Sequence, residues 1–504
     1  MALWIVSLFC FFVFVVFICK GFYNAASSSR KKLLPSPPRF PIIGNLHQLG
    51  LHPHRSLQLL SKRYGPLFLL HLGSAPLLVV SSADAARMIM KDHDLIFSNR
   101  PKSSRAEKFT YGSKDIVFAP YGEYWRQLRS ICVLQLLSNK RVQSFRRVRE
   151  EETTLMVEKI RQSCSSSSSI NLTDILASLT YHIVCRVALG RKFRIGEEGK
   201  KFMWLLREGA DMAGAFYVGD YIPWLAWISK INGFDAKLDK LAKVFDEFLE
   251  GIVEEHRKPM KGGVNYDEDE GSDFVYLLLE IQAENQAGLR LETDAIKALI
   301  LDVFSAGTDT TSTVMEWTVA ELLRHPKILE KLQNEVREVA GRKLDITEDD
   351  LEKMPYLRAV IKESLRLHTP SPLLVPREST QSVKLMGYDI AAGTQVLVNA
   401  WAIGRDPSLW ENPEEFRPER FFETDIDFKG LNFEFIPFGA GRRGCPGVTF
   451  AMAVNELALA KLVHKFNIAL PNGGKESDMD MTEGTGLNVH KKFPVLVAAT
   501  PQSC

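Results

Sequence analysis

The chain has 504 residues, 25% of them charged and 45% hydrophobic, with a formal net charge of +2. This is ordinary globular composition, long enough to bury a sizeable ligand without crosslinks, and its near-neutral balance gives no reason to expect nucleic acid as a partner. Seven cysteines without a CxxC pair or regular spacing argue against a disulfide framework and a zinc site, and point to a reducing compartment.

Residues 1–20 read as a transmembrane signal-anchor. From Ala2 to Cys19 the run is apolar except for Ser7, and as a helix it spans about 27 Å against a hydrocarbon core of about 30 Å. No small-residue cleavage site ends it. Positive charges follow it at Lys20, Arg30, Lys31 and Lys32, which orients the remainder toward the cytosol. A cleaved secretory signal is the alternative. Residues 21–44 form a basic and proline-rich hinge. Its Pro35-Ser-Pro-Pro-Arg-Phe-Pro-Ile-Ile-Gly44 stretch suits neither helix nor inner strand, and reads as a stiff extended spacer or a disordered linker.

Residues 45–504 read as one unit, mostly α with a small β lobe. Leu67–Leu72 and Leu77–Val80 flank Gly73-Ser-Ala-Pro76 and predict a hairpin. Trp125 and Arg129 share one helical face. Helices are expected over Lys140–Gln162, Asp235–His256 and Thr318–Ala340, the last broken near His325-Pro326. Ser165–Ser169 and Gly262–Asp273 read as exposed loops. Asn171-Leu-Thr173 matches a glycosylation sequon that a cytosolic domain would never present to that machinery.

Thr293 or Asp294 can cap a long helix running to Arg324. Its middle reads Phe304-Ser-Ala306-Gly307-Thr308-Asp309-Thr310-Thr311. Glycine and threonine are locally unfavourable there, and their neighbours' hydroxyls can bond back to carbonyls and open a turn. Glu363 and Arg366 are three apart on a later helix and can pair. The same spacing recurs at Glu123/Arg126, Glu254/Arg257 and Glu321/Arg324, so the spacing alone proves nothing. A second strand pair is expected near Val383–Ile390 and Gln395–Ala400, turning at Ala391-Ala-Gly393.

The most specific signal is Phe438-Gly439-Ala-Gly441-Arg442-Arg443-Gly444-Cys445-Pro446-Gly447. Its glycines permit turns closed to other residues and let a flat ligand approach the main chain. Pro446 suits the first turn of a helix, so Cys445 is expected at a helix N-terminus, where free N–H groups favour a thiolate. Such a thiolate can ligate haem iron and push electron density toward O–O cleavage. A buried structural cysteine beside a glycine turn is the bland alternative, but five fixed residues in ten, Phe438, Gly441, Arg443, Cys445 and Gly447, leave little room for chance.

This loop resembles the haem-binding signature of cytochrome P450 enzymes. The likeness runs from anchor to C-terminus and is closest in wording to the plant 71-type enzymes, the 71A group in particular. It implies a cytochrome P450 fold with Cys445 ligating the metal of haem b (iron protoporphyrin IX). It implies that Phe438, Gly439, Gly447, Ala306 and Gly307 lie against the cofactor. Trp125, Arg129, Arg377 and Arg443 are implied donors to the propionates. Asp309 and Thr310 resemble the acid–alcohol pair that delivers protons for O–O cleavage. Arg420, in Pro418-Glu-Arg-Phe421, is implied to lock Glu363 and Arg366 into a structural network. Phe109, Val117, Phe118, Leu301, Phe304, Leu373, Leu374, Val375 and Leu487 are implied pocket residues for a small apolar substrate. Asp302 is expected to face a neighbouring helix rather than the substrate.

The implied reaction is insertion of one oxygen atom of O2 into a plant metabolite. No dinucleotide fingerprint or flavin domain accompanies the chain, so electrons would come from NADPH through a separate cytochrome P450 reductase at the endoplasmic reticulum membrane. Terpenoids, phenolics, fatty acids and amino-acid-derived oximes all fit as substrates. Two rivals stay open: a non-oxygenating haem-thiolate enzyme such as an aldoxime dehydratase, and a non-catalytic haem-binding sensor. Asp309 and Thr310 favour oxygenation.

Overall fold

A computed structural model describes residues 33–166, 169–190, 217–262, 273–284 and 291–502, with a few positions between 204 and 214. The anchor, the basic part of the hinge and nearly all of the Gly262–Asp273 loop lie outside the described residues. The rest is a helical body with a β lobe beside it. The longer helices are α1 (Pro53–Tyr64), α2 (Glu123–Ile131), α3 (Arg146–Ser166), α4 (Leu172–Leu189), α5 (Phe234–Gly262), α6 (Phe274–Glu284), α7 (Thr293–Arg324), α8 (Pro326–Ala340), α9 (Pro355–Leu367) and α10 (Val448–Lys465).

Local chemistry explains most boundaries. The Asn171 side chain, first residue of the sequon, caps α4 by accepting the Asp174 N–H, and Gly190 ends that helix at φ +63°. Pro326 forces the break between α7 and α8: it lacks an N–H, and His325 before it is extended at φ −127°. The expected helix over Lys140–Gln162 is two helices, Asn139–Ser144 and α3, parted at Phe145. Helix α3 also runs through Ser165 and Ser166, which had read as loop. Neither Thr293 nor Asp294 caps α7. Glu292 holds the cap position without a side-chain hydrogen bond, and Asp294 instead accepts from Lys114 Nζ at 3.0 Å.

The main sheet has strand order β1-β2-β7-β4. The expected hairpin forms as β1 (Leu67–Leu72) and β2 (Ala75–Val80), with Leu67 opposite Val80. β7 (Gln395–Val398) adds in parallel to β2, and β4 (Arg377–Glu378) lines the far edge of β7. The second expected pair is therefore corrected. Val383–Ile390 folds on itself as β5 (Val383–Leu385) and β6 (Tyr388–Ile390), turning at Met386-Gly387, while β7 pairs elsewhere. Both residues of that turn have positive φ, at 50° and 81°, the geometry of a tight two-residue hairpin. A small third sheet joins β3 (Ile170–Asn171), β8 (Phe466–Ala469) and β9 (Leu496–Pro501) in the order β3-β9-β8.

Pro35 to Gly44 does not stand away from the body. Leu69 N–H donates to Pro35 O at 2.9 Å, Gly73 N–H to Ile43 O at 3.1 Å, and Asn45 N–H to His71 O at 2.6 Å. The proline stiffness seats this segment along β1. The largest core unites side chains of α3, α4, α6, α7, α9 and α10; two smaller cores lie on either face of the main sheet. α7 crosses α4 closely because residue 307 is glycine: a Cβ there would sit 3.1 Å from Val184 Cγ2.

Candidate active site

The cysteine loop is held by its own backbone. Cys445 N–H donates to Phe438 O at 2.9 Å, Gly439 N–H to Ile436 O at 2.9 Å and Gly444 N–H to Gly441 O at 3.0 Å. Gly441 must be glycine. Its φ is +70°, and a Cβ would lie 2.2 Å from Met90 O. Asp94 pins the loop from outside, accepting from Arg442 N–H and Arg442 Nη1 at 3.0 Å each and from Arg377 Nη1 at 3.2 Å. α10 starts at Val448 with Gly447 as cap, so Pro446 lies ahead of the helix rather than in its first turn. Burial pushes the Cys445 thiol up, while the Gly447 N–H and the charge of Arg129 pull it down. The sulfur nonetheless belongs to an accessible residue, since the loop opens onto a concavity of about 600 Å³.

A second internal surface lies on α7. From Thr311 to Leu323 this helix is almost wholly buried, as are Leu301 and Phe304, yet Ser305 and Ala306 are exposed and Gly307 to Thr310 half-buried. Exposure in the middle of a helix buried on both sides requires a cavity at that height. Thr310 Oγ1 donates to Ala306 O at 2.6 Å, the back-bond expected of a hydroxyl in this stretch. Asp309 Oδ2 accepts from Asn488 Nδ2 at 2.7 Å.

Beside the cysteine loop four guanidinium groups cluster. Arg129 Nη2 donates to Gly444 O at 2.7 Å and Arg377 Nη2 to Ala440 O at 2.8 Å. Arg443 reaches Ser98 O at 2.9 Å and Ala119 O at 2.5 Å, and lies 4.1 Å over the Trp125 ring. Trp125 Nε1 donates to Ile116 O at 2.9 Å. The fourth, Arg100, escaped the sequence reading. It is buried and donates to Val117 O, Val375 O and Pro376 O. Burial first, and then neighbouring arginines, push Arg443 down to about 9 and Arg100 well below its ordinary value. Asp94 and Asp115 are the carboxylates that face this group, and burial pushes Asp115 up to about 6. Four crowded cations with so little counter-charge suit a ligand bearing two carboxylates, and haem b has two propionates. With an accessible cysteine beside them, the residues fit that group.

Glu363, Arg366 and Arg420 come together in the core, all buried. Arg366 grips both Glu363 oxygens at 2.8 Å, and Arg420 Nε reaches Oε1 at 3.0 Å. Arg366 also donates to Gly404 O and Pro413 O, tying α9 to the segment that leads to the cysteine loop.

The pocket residues divide. Val117, Phe118, Leu373, Leu374 and Val375 are half-buried and Leu487 is exposed, with Leu374 Cδ1 3.8 Å from where a Gly439 Cβ would be. Phe109 is half-buried and meets Phe245 edge to face. Leu301 is nearly buried. Phe304 is fully enclosed in the main core, so it shapes the cavity wall from behind. Asp302 accepts the Ile116 N–H at 2.9 Å from the loop carrying Val117 and Phe118. Burial, then Asp115, push its carboxyl well above the usual range.

The chain matches the cytochrome P450 family over residues 34–497. It is 56% identical to norfluorocurarine oxidase of Strychnos sp over 496 residues, 97% of each chain. It is 56% identical to cytochrome P450 71A4 of Solanum melongena, over 99% of each chain. A zebra fish cytochrome P450 solved with progesterone superposes with a TM-score of 0.76 at 28% identity, over 90% of this chain and 100% of that one. An accessible cysteine in a glycine loop, a guanidinium cluster matched to two carboxylates, and these likenesses agree: the chain belongs to the cytochrome P450 family, on its plant 71A side, and is a haem-dependent monooxygenase of specialised metabolism.

Proposed function

We propose that Cys445 supplies the thiolate that would ligate the iron of haem b, the cysteine loop and the middle of α7 bordering the space for it. Bound haem supplies the activation of dioxygen. The carrying observation is the pairing of an accessible Cys445 with an undercompensated guanidinium cluster. Arg100, Arg129, Arg377 and Arg443 would hold the propionates by charge. Trp125 supports Arg443 from below, its indole N–H being engaged by Ile116 O. Phe438, Gly439 and Gly447 border the thiolate. Ala306 offers a small side chain to the cavity, and Gly307 lets α7 settle on α4.

Asp309 and Thr310 move protons. Thr310 carries a hydroxyl bonded to the carbonyl of exposed Ala306, and Asp309 supplies a carboxylate one residue earlier. Val117, Phe118, Leu301, Leu373, Leu374, Val375 and Leu487 bind an apolar metabolite, terpenoid or phenolic, and exclude water; Phe109 and Phe304 back that wall. Glu363, Arg366 and Arg420 are structural. Spectra of the reduced, carbon-monoxide-treated protein test the thiolate. The wild type should show the red-shifted band of sulfur-ligated iron and C445A should lack it; the same band in C445A would end the assignment.

Family members work with NADPH through a reductase, on O2 and apolar substrates. For this chain the reductase is read to dock at the concavity over Cys445, whose lining includes Arg129, Arg358 and Lys429 beside Glu348 and Glu456, with exposed Arg442 nearby. Residues 1–20 are read as a single-pass anchor in the endoplasmic reticulum membrane, 21–44 as the hinge and 45–504 as the cytosolic catalytic domain. Exposed Phe40, Ile42, Ile43, Trp224 and Trp227 support a membrane-facing side near the described N-terminus. A terpenoid and phenolic panel screened by spin-state shift, then by NADPH-driven oxygen uptake, identifies the substrate class.

A further inference from the structure

Asp309 does not face the cavity unsupported. Its Oδ2 accepts from Asn488 Nδ2 at 2.7 Å, and Asn488 Oδ1 accepts from Ser371 Oγ at 2.6 Å. The amide orientation is forced. A carboxylate cannot donate, so the –NH2 group must face Asp309, and the Ser371 hydroxyl then donates to the carbonyl end. Asn488 itself is fixed by the next residue, since Val489 N–H donates to Pro370 O at 2.7 Å and Val489 O accepts from Trp317 Nε1 at 2.9 Å. Trp317 is on α7 itself, two turns beyond Asp309. The preceding residue on the loop, Leu487, is exposed and falls among the pocket residues.

We infer that Asn488 is a positioning residue for Asp309, holding its carboxylate in the one orientation that serves proton delivery and linking that orientation to the loop carrying Leu487. The inference rests on the reading of Asp309 as the acid of the proton-delivery pair. The chain of bonds runs Ser371, Asn488, Asp309, and each link is a single hydrogen bond between groups from separate parts of the chain. A substrate that pushes on Leu487 shifts the residue beside it, so the loop transmits pocket occupancy to the acid. Asn488 touches neither oxygen nor haem; it acts through Asp309.

The test uses full-length protein with reductase and an alkoxycoumarin probe, comparing wild type, D309N, N488L, N488D and D309N/N488L. N488L keeps the side-chain shape and removes both hydrogen bonds. N488D keeps the acceptor for Ser371 but turns an acceptor toward Asp309. Both should retain haem content, the red-shifted carbon-monoxide band and probe KM. Both should lose on the order of tenfold in product formed per NADPH, as supporting partners of active-site groups do, with a matching rise in peroxide. The double variant should be no worse than D309N. In infrared spectra of the ferric protein, the carboxylate band missing from D309N should be displaced in N488L. Uncoupling in D309N with wild-type coupling in N488L and N488D would overturn the inference while leaving Asp309 its role. So would lost haem or raised KM at unchanged coupling. Wild-type coupling in D309N would remove the reading of Asp309 and this inference together.

Discussion

Thr310 spends its hydroxyl hydrogen on Ala306 O, so passing a proton onward requires that bond to open while Asp309 stays in place. Thr310→Ala should keep haem and its spectrum but divert electrons to peroxide, lowering product per NADPH about tenfold or more; unchanged coupling would refute the role. Arg100 is a sharper case, with three carbonyl partners and a cluster of like charges around it. Arg100→Leu should speed haem loss to an apomyoglobin scavenger on the order of tenfold, with Arg100→Lys intermediate because an ammonium lacks the planar fork. Equal haem-loss rates in all three proteins would exclude a cofactor-holding role. Cys445, Asp309 and Thr310 stand out in the sequence because their neighbours in the chain carry the pattern. Arg100 and Asn488 do not, because their meaning comes from partners far away: Val375 is 275 residues from Arg100, and Asp309 is 179 from Asn488. No local spacing encodes such a meeting.

α9 is where one helix holds several others in place. Glu363 is wholly buried, and Arg366 and Arg420 balance its charge. Removing one partner of such a pair strands a charge in the core, typically at about 3–5 kcal/mol. Arg366→Ala should therefore yield little folded, haem-loaded protein; normal expression with full haem would defeat the locking role. Nearby Glu321 shows the same logic with pH. Burial alone would push its carboxyl up, but hydrogen bonds from His325 and His368 outweigh that and hold it far below the usual range. Glu483, bonded to His54 and Arg55, is held down likewise against its burial. A carboxyl depressed in the folded state contributes stability that is complete above its unfolded value of about 4.3 and is lost as pH falls below it. Denaturant midpoints should drop as pH falls below about 4.3. Glu321→Gln should lower the neutral midpoint and shallow the acid drop; an unchanged acid slope would contradict the assignment. Element boundaries were legible wherever proline or a capping side chain marks them, as at Pro326. They failed at β5 and β6, whose turn at Met386-Gly387 lacks the usual Asn-Gly wording, and at β7, whose partner β2 comes from the other end of the chain.

At the scale of the whole molecule, the placement of apolar surface follows from the way the chain enters its β lobe. Ile43 O accepts from Gly73 N–H, and Ser74 N–H donates to Tyr221 O at 2.9 Å. The β1–β2 turn thus brings the entry segment together with residues 218–225. Phe40 and Ile42 are exposed on the first, Trp224 on the second and Trp227 and Ile231 just beyond it. Large side chains on two distant stretches, gathered at one end, form a surface that water disfavours and that a bilayer interface accepts, tryptophan most of all. This end is also where the chain emerges from residues 1–32. Removing residues 1–32 should therefore leave a folded protein that still sediments with phosphatidylcholine–phosphatidylserine vesicles. Trp224→Ser with Trp227→Ser in that shortened protein should weaken partitioning at least on the order of a hundredfold, since two apolar side chains withdrawn at about 1.5–3 kcal/mol each lose about 3–6 kcal/mol. Leu344→Ser, a still more exposed apolar side chain at the C-terminal side of α8, serves as the control and should change nothing. Equal partitioning of all three proteins would mean that the gathered tryptophans do not meet lipid.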